Sequence, residues 1–264
     1  MVARGKKAER PVVLAIAGYD PSSGAGITAD IKTISAHGCY GVTCITALTV
    51  QSSRGVQRVE TLEPRIITEI LHELMDDLDI AAVKIGMLGS AEPARAVAAF
   101  LKRAQVRHVV LDPILKSSSG ADLISHDGMS VVKERLLGHA SVMTPNLDEA
   151  AELTGLRVTN QEEMAAAAKR LHQIGARSVV ITGGHLASPV DLLSSRPEAQ
   201  PIFLEGERIQ TGSTHGTGCA FSTSLACHLA LGKSLLESVR AAKKYVEGAL
   251  RNAPGLGKGT GPVI

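Results

Sequence analysis

Pro11-Val12-Val13-Leu14-Ala15-Ile16-Ala17-Gly18-Tyr19-Asp20-Pro21-Ser22-Ser23-Gly24-Ala25-Gly26 decides how the rest of the chain is read. Pro11 to Ala17 is a continuous apolar run rich in β-formers, the pattern of a strand buried on both faces. The run stops at a polar, glycine-rich turn, and Ile27 to Ala36 then has helical character. Strand, loop and helix in that order open a parallel α/β sheet, and the loop at the strand's carboxyl end is where such sheets place ligands. Asp20 and Asp30 are the acidic residues of this unit; Asp30 reads equally well as a site residue or as a solvated helix residue.

The same alternation continues to the end of the chain. Val42 to Val50 is a second β-branched strand, and Gln51 to Val59 alternates around Gly55 as a half-exposed hairpin does. Pro64 opens a helix whose Ile66, Ile67, Ile70, Leu71, Leu74, Met75 and Leu78 are expected to share one face. Ala81 to Ile85, Val109 to Leu111, Ser141 to Met143 and Ser178 to Thr182 are further strands, ending at Gly86-Met87-Leu88-Gly89, Asp112-Pro113, Thr144-Pro145-Asn146 and Gly183-Gly184-His185. Helices are expected over Glu92 to Ala104, from Asn146, from a Thr159-Asn160-Gln161-Glu162 capping box to about Ile174, and from a Ser234 to Glu237 capping box to about Leu250. Val190 to Leu193, Pro201 to Leu204 and Glu207 to Gln210 suggest an antiparallel edge. The pattern predicts one doubly wound, three-layer α/β/α domain over 11–264 with a mostly parallel central sheet, behind a flexible, basic leader over 1–10.

Composition excludes several functions. A chain of 264 residues, 44% hydrophobic, buries a large core without disulfides or metals. A net charge of +2 and the absence of Trp give neither the electrostatic footprint nor the stacking surface of a nucleic-acid binder. No apolar run approaches membrane-spanning length, so a cytoplasmic protein without a membrane partner is expected. Cys39, Cys44 and Cys227 read as core residues.

Ser213-Thr214-His215-Gly216-Thr217-Gly218-Cys219-Ala220-Phe221 is the most chemically suggestive stretch. A tight turn opens directly into a helix, whose unpaired first N–H groups and partial positive charge suit a phosphate or a developing anion. At that position a thiol is pushed toward the thiolate, which makes Cys219 a candidate base or nucleophile. The alternative is a plain turn with a small buried cysteine. Asn146 and Glu149, three apart at a helix start, are placed to cap that helix or to hold a hydrated metal.

With these residues assembled, the chain resembles the ribokinase-like superfamily, and within it the hydroxymethylpyrimidine/phosphomethylpyrimidine kinase family of thiamine biosynthesis. The resemblance runs from Ala17-Gly18-Tyr19-Asp20-Pro21-Ser22 through Lys84-Ile85-Gly86-Met87-Leu88 and Thr144-Pro145-Asn146-Leu147-Asp148-Glu149-Ala150 to Gly259-Thr260-Gly261-Pro262-Val263, and is most specific over Ser213 to Cys219. It implies a homodimeric kinase that moves the γ-phosphoryl of ATP to the hydroxymethyl group of 4-amino-5-hydroxymethyl-2-methylpyrimidine and to its monophosphate, with Mg²⁺ on the phosphates. By that resemblance Cys219 is the base, and the amides of Gly216, Thr217 and Gly218 stabilise the moving phosphoryl group. Gly18, Asp30, Gln51, Met87 and Ile114 hold the pyrimidine; Thr182, Gly184, Thr214 and His215 hold the nucleotide; Asp112, Asn146 and Glu149 position Mg²⁺ through water.

The chain departs from the family pattern at Thr182, where a phosphate-contacting lysine is usual, with Lys116 the nearest alternative cation. It departs again at Tyr19 and at Ser23, the latter standing where the family has Gly. Two other functions stay open: a pyridoxal kinase of the same cysteine-containing type, and a ligand-binding or regulatory protein with weak turnover, which the loss of the lysine suggests. The pyridoxal subgroup carries a lid cysteine near Ser117, and Lys116 to Gly120 contains none.

Overall fold

The computed structural model describes residues 10–117, 120–186 and 188–264; the expected leader, apart from Arg10, lies outside them. The chain begins with β1 (Val12–Tyr19), whose side chains from Val13 to Ala17 are fully buried on both faces. α1 (Gly26–Ala36) returns the chain to β2 (Tyr40–Ser52), which pairs parallel to β1 and turns into the antiparallel β3 (Gly55–Thr61). α2 (Pro64–Asp77), with Ile67 and Leu71 fully buried, leads to β4 (Ile80–Ile85) on the other side of β1. Each such buried side chain contributes about 1.5–3 kcal/mol.

α3 (Ala91–Arg103), β5 (His108–Leu111), α4 (His126–Val131), β6 (Val142–Met143), α5 (Leu147–Thr154), α6 (Gln161–Gln173) and β7 (Val179–Ile181) extend the parallel sheet. β8 (Val190–Ser194) and β9 (Ile202–Glu205) close it antiparallel, and α7 (Thr217–Ala230) and α8 (Leu235–Arg251) complete the chain. The order is β3-β2-β1-β4-β5-β6-β7-β8-β9. α1, α7 and α8 cover one face, around Leu225, Val239 and Ala242; α2, α3, α5 and α6 cover the other, around Leu71, Val97 and Leu171. This is the expected three-layer architecture.

The departures are local. Glu207 to Gln210 is irregular, not a strand, and 126–139 coils through α4 and short π and 3-10 turns that the sequence reading left blank. α6 is capped by Asn160, whose side chain accepts from the Glu163 N–H, one residue later than the expected box. Among the described residues no helix is long and apolar enough to cross a membrane.

The topology decides where a site can form. The chain leaves β1 toward β2 on one side and later resumes at β4 on the other, so the connections after β1 and β4 run in opposite directions. A crevice opens at the carboxyl ends of such a pair.

Candidate active site

The turn after β1 is organised by Asp20, which is 3% exposed. Its Oδ1 accepts from the Ser22 amide at 2.8 Å and the Ser22 hydroxyl at 2.7 Å; its Oδ2 accepts from the Ala25 amide at 2.9 Å and lies 2.8 Å from His215 Nε2. Burial alone would raise this carboxyl's pKa, but the bonds from His215 and Ser22 outweigh it and hold the group below its ordinary value. The turn is drawn tight enough to force Ser23 to φ 60°, the left-handed conformation that explains glycine at this position in the family.

Facing this turn is the start of α7. Its N-cap, Gly216, has φ 87°, and a β-carbon there would sit 1.8 Å from the Gly24 carbonyl oxygen, so only glycine fits. No side chain caps either α7 or α1, leaving two helix starts directed at one space. Cys219 lies between them, its sulfur accepting from the Gly26 N–H. The expected thiolate is not what this environment favours. Burial pushes the thiol up to about 12, and the Lys84 charge beside it only partly offsets that.

Beneath Cys219 runs a row of polar groups on the sheet. Lys84 is completely buried, with Nζ 3.0 Å from both carboxylate oxygens of Asp30; burial alone would lower its pKa, but the charge of Asp30 and the hydrogen bonds to it hold it raised. Asp30, itself 0% exposed, also accepts from Thr223 Oγ1 at 2.6 Å. Asp30 is therefore the counter-ion of a buried lysine and not a solvated helix residue. Asp112, on the next strand, accepts from Ser222 Oγ at 2.8 Å, and burial raises its pKa against the pull of Lys84.

Asn146 and Glu149 form a reciprocal capping box: the Glu149 amide donates to Asn146 Oδ1 at 2.9 Å and the Asn146 amide to Glu149 Oε2 at 2.8 Å. The cap reading holds for both. Glu149 is also 7% exposed, and burial together with the charge of Asp112 pushes it up to about 8. Thr144, level with Asp112 on the neighbouring strand, carries a buried hydroxyl without a partner.

Against Gly18 at the end of β1 the structure assembles a small apolar cluster. A β-carbon on Gly18 would meet the Met87 sulfur at 2.8 Å, and Met87 clusters with Ala47 and Leu123, against which Ile114, Val56 and Val59 pack. Gln51, paired across the hairpin with Val56 of that cluster, stands beside it: Thr49 Oγ1 donates to Gln51 Oε1 at 3.2 Å, and Gln51 Nε2 lies 3.1 Å from His215 Nε2. Gly18, Met87 and Ile114 thus lie in or against one cluster with Gln51 beside it, and His215 bridges Gln51 to Asp20.

On the far side, Thr182 and Asn146 form a bridge between chain segments, with the Thr182 amide donating to Pro145 O at 2.9 Å. Gly184 and Thr214 are exposed, and Arg208 donates to the carbonyls of Gly184 and Leu186. Lys116 is exposed, its backbone bridged to Asp122. The residues that sequence reasoning passed over are Asp20, Lys84, Ser222 and Thr223. Lys84 had a signal: a lysine inside a strand buried on both faces needs a carboxylate partner.

A three-layer fold whose sheet switches direction beside an uncapped helix start carrying a buried thiol, with an apolar cluster and the buried carboxyls Asp112 and Glu149 at the same sheet edge, defines a ribokinase-like phosphotransferase. Phosphomethylpyrimidine kinase is the family model that matches, over residues 20–264, and the chain belongs to that family. It is 43% identical to the hydroxymethylpyrimidine/phosphomethylpyrimidine kinase of Streptomyces coelicolor, covering 96% of this chain and 93% of that protein. It is equally identical to a bifunctional thiamine biosynthesis protein of Geobacter sulfurreducens, of which it spans only 52%. Among solved structures it is similar to phosphomethylpyrimidine kinase from Clostridium difficile (TM-score 0.80, 35% identity, 91% of this chain and all of that one). It is also similar to pyridoxal kinase from Bacillus subtilis in complex with ADP (TM-score 0.88, 33% identity, 96% and 98%).

Proposed function

We propose that this kinase transfers the γ-phosphoryl group of ATP to the hydroxymethyl oxygen of 4-amino-5-hydroxymethyl-2-methylpyrimidine, and then to the resulting monophosphate, in thiamine biosynthesis. The observation that carries the reading is the position of Cys219, at an uncapped helix start able to take a phosphoryl group and facing the start of α1. Gly18, Met87 and Ile114 would enclose the ring and Gln51 would bond its polar edge. The acceptor hydroxyl attacks phosphorus in line, the bridging oxygen leaves with ADP, and the hydroxyl proton passes to the Cys219 sulfur. First-turn amides of α7 stabilise the charge on the moving group, with Gly216 holding the turn. For this, Cys219 must become a thiolate, and Lys84, the Gly26 N–H and the α7 start are the groups that favour the anion.

Thr182 and Gly184 border the nucleotide side, where exposed Thr214 also lies. No three His, Cys, Asp or Glu side chains able to hold a metal by themselves cluster among the described residues. Asp112 and Glu149, two carboxyls whose proton affinity burial raises, with the charge of Asp112 adding to the effect at Glu149, fit an ion that keeps its waters, with Asn146 shaping the turn. Mg²⁺ held there supplies positive charge to the ATP phosphates. We also infer a homodimer, supported by the exposed Leu48 and Val50 beside the edge strand β3; a solution mass of twice 27.6 kDa is the check.

The test is ADP formation by purified protein offered the hydroxymethylpyrimidine, its monophosphate, pyridoxal or no acceptor. Turnover with both pyrimidines is expected. Preference for pyridoxal would establish the second reading, which the similarity to pyridoxal kinase structures supports, and no acceptor-dependent ADP would leave a binding protein.

A further inference from the structure

His215 stands where three elements meet: the turn before α7, the turn after β1 and the end of β2. Its ring packs so closely on Gly24 that a β-carbon there would lie 2.2 Å from Cδ2. Its Nε2 is 2.8 Å from Asp20 Oδ2, an oxygen already fixed by the Ala25 amide. A carboxylate accepts only, so this ring nitrogen carries a proton and donates. Gln51 Nε2 lies 3.1 Å from the same nitrogen, donor facing donor, whereas only the carbonyl end of an amide can face an N–H. The amide's other arm is 3.2 Å from Thr49 Oγ1, whose proton goes to the Tyr19 carbonyl at 3.0 Å, leaving lone pairs for an NH₂ group. Turning the carboxamide over, so that its carbonyl shares the His215 Nε2–H with Asp20 and its NH₂ faces Thr49, removes the clash of two donors.

We infer that His215, braced by Asp20, is a positioning residue that fixes the orientation of the Gln51 carboxamide and thereby the donor and acceptor edge presented to an aminopyrimidine. The inference deepens the function proposed above and rests on its placing the pyrimidine against Gln51. A ring whose polar edge mismatches a fixed amide leaves buried groups unpaired, which is how such a site rejects analogues. Pyridoxal, which lacks the amino group next to a ring nitrogen, has less to gain from this orientation.

The experiment uses the full chain with His215→Phe, which removes the donor but keeps a ring, and His215→Gln, which keeps an N–H within reach. His215→Phe is expected to raise KM for the hydroxymethylpyrimidine about tenfold, with kcat within about threefold and KM for ATP unchanged. The pyrimidine-to-pyridoxal ratio of kcat/KM falls in step, and His215→Gln stays within about threefold of the parent. In a Gln51→Leu background, His215→Phe adds no further loss. A raised KM for ATP, additive effects, or a glutamine variant as poor as the phenylalanine one would overturn the assignment. The side-chain ¹⁵N–¹H₂ signals of Gln51, identified by their loss in Gln51→Leu, give a reading independent of any acceptor. They should shift in His215→Phe and be restored in His215→Gln, and signals unmoved by His215→Phe overturn the inference even if the protein proves to use another substrate.

Discussion

Two opposed effects act on Cys219. A helix start favours the anion, yet burial costs it more, and the thiol ends high. Sequence spacing exposes the first effect and conceals the second, because burial depends on how α1 closes over α7. Lys84 is the residue that narrows the gap. Replacing Cys219 by Ala is expected to lower kcat by about a hundredfold or more with acceptor KM little changed, read by steady-state kinetics. Unchanged turnover would remove the sulfur from the reaction.

Lys84→Met alone leaves Asp30 buried without its counter-ion and should cost roughly 3–5 kcal/mol of stability by denaturant unfolding. Adding Asp30→Leu should recover most of it, since apolar groups of similar volume replace a buried pair at little cost. The double variant would still lack the cation beside Cys219. Its pH–rate limb is therefore expected at higher pH than the parent's, because an uncompensated thiol holds its proton longer. A limb that stays in place would make the pair purely structural.

At the level of elements, the glycine turn before α7 is held from outside by the last residues of the chain. The His215 amide donates to Gly261 O at 3.0 Å and the Val263 amide to His215 O at 3.0 Å, with Val263 1% exposed. The Lys258 amide donates to Ser53 Oγ at 3.1 Å, so the same tail also pins the β2–β3 hairpin that carries Gln51. Removing 261–264 should lower kcat and raise acceptor KM together, by about tenfold, while thermal unfolding shifts only a few degrees. Kinetics matching the full chain would show that the turn holds itself. Nothing in Gly259 to Val263 beyond family resemblance hints at this clamp: its partners lie some fifty and two hundred residues upstream. Capping was legible where it is local, as at Asn146 and Ser234, and slipped by one residue at Asn160, where Thr159 offers a competing hydroxyl to Glu163.

Across the whole molecule, the parallel strands were readable because burial on both faces demands unbroken apolar runs, and Val13 to Ala17 or Val179 to Ile181 permit no other period. The short edge strands and the coils over 126–139 carry weaker patterns. The acidic groups under the site, Asp112 and Glu149, stand out in the sequence, but their burial does not, because it depends on strands and helices that meet only in the fold; together they tilt its stability with pH. Glu149 shifts from an ordinary 4.5 to about 8 on folding, so the folded state binds more protons than the unfolded one between those values. Its contribution is present below pH 4.5 and lost as pH rises toward 8, at a slope of up to about 1.4 kcal/mol per pH unit; Asp112 shifts in the same direction. Asp20, lowered on folding, acts oppositely, but only as pH falls below the ordinary carboxylate range. The free protein should therefore lose thermal stability between pH 5.5 and 8, and Glu149→Gln should flatten that decline. Mg²⁺ with a nucleotide should then raise Tm more at pH 8 than at pH 5.5 in the parent, since the ion competes with the proton for Glu149. Equal shifts at both pH values, or a Glu149→Gln protein with the parent's slope, would take Glu149 out of the ion's site.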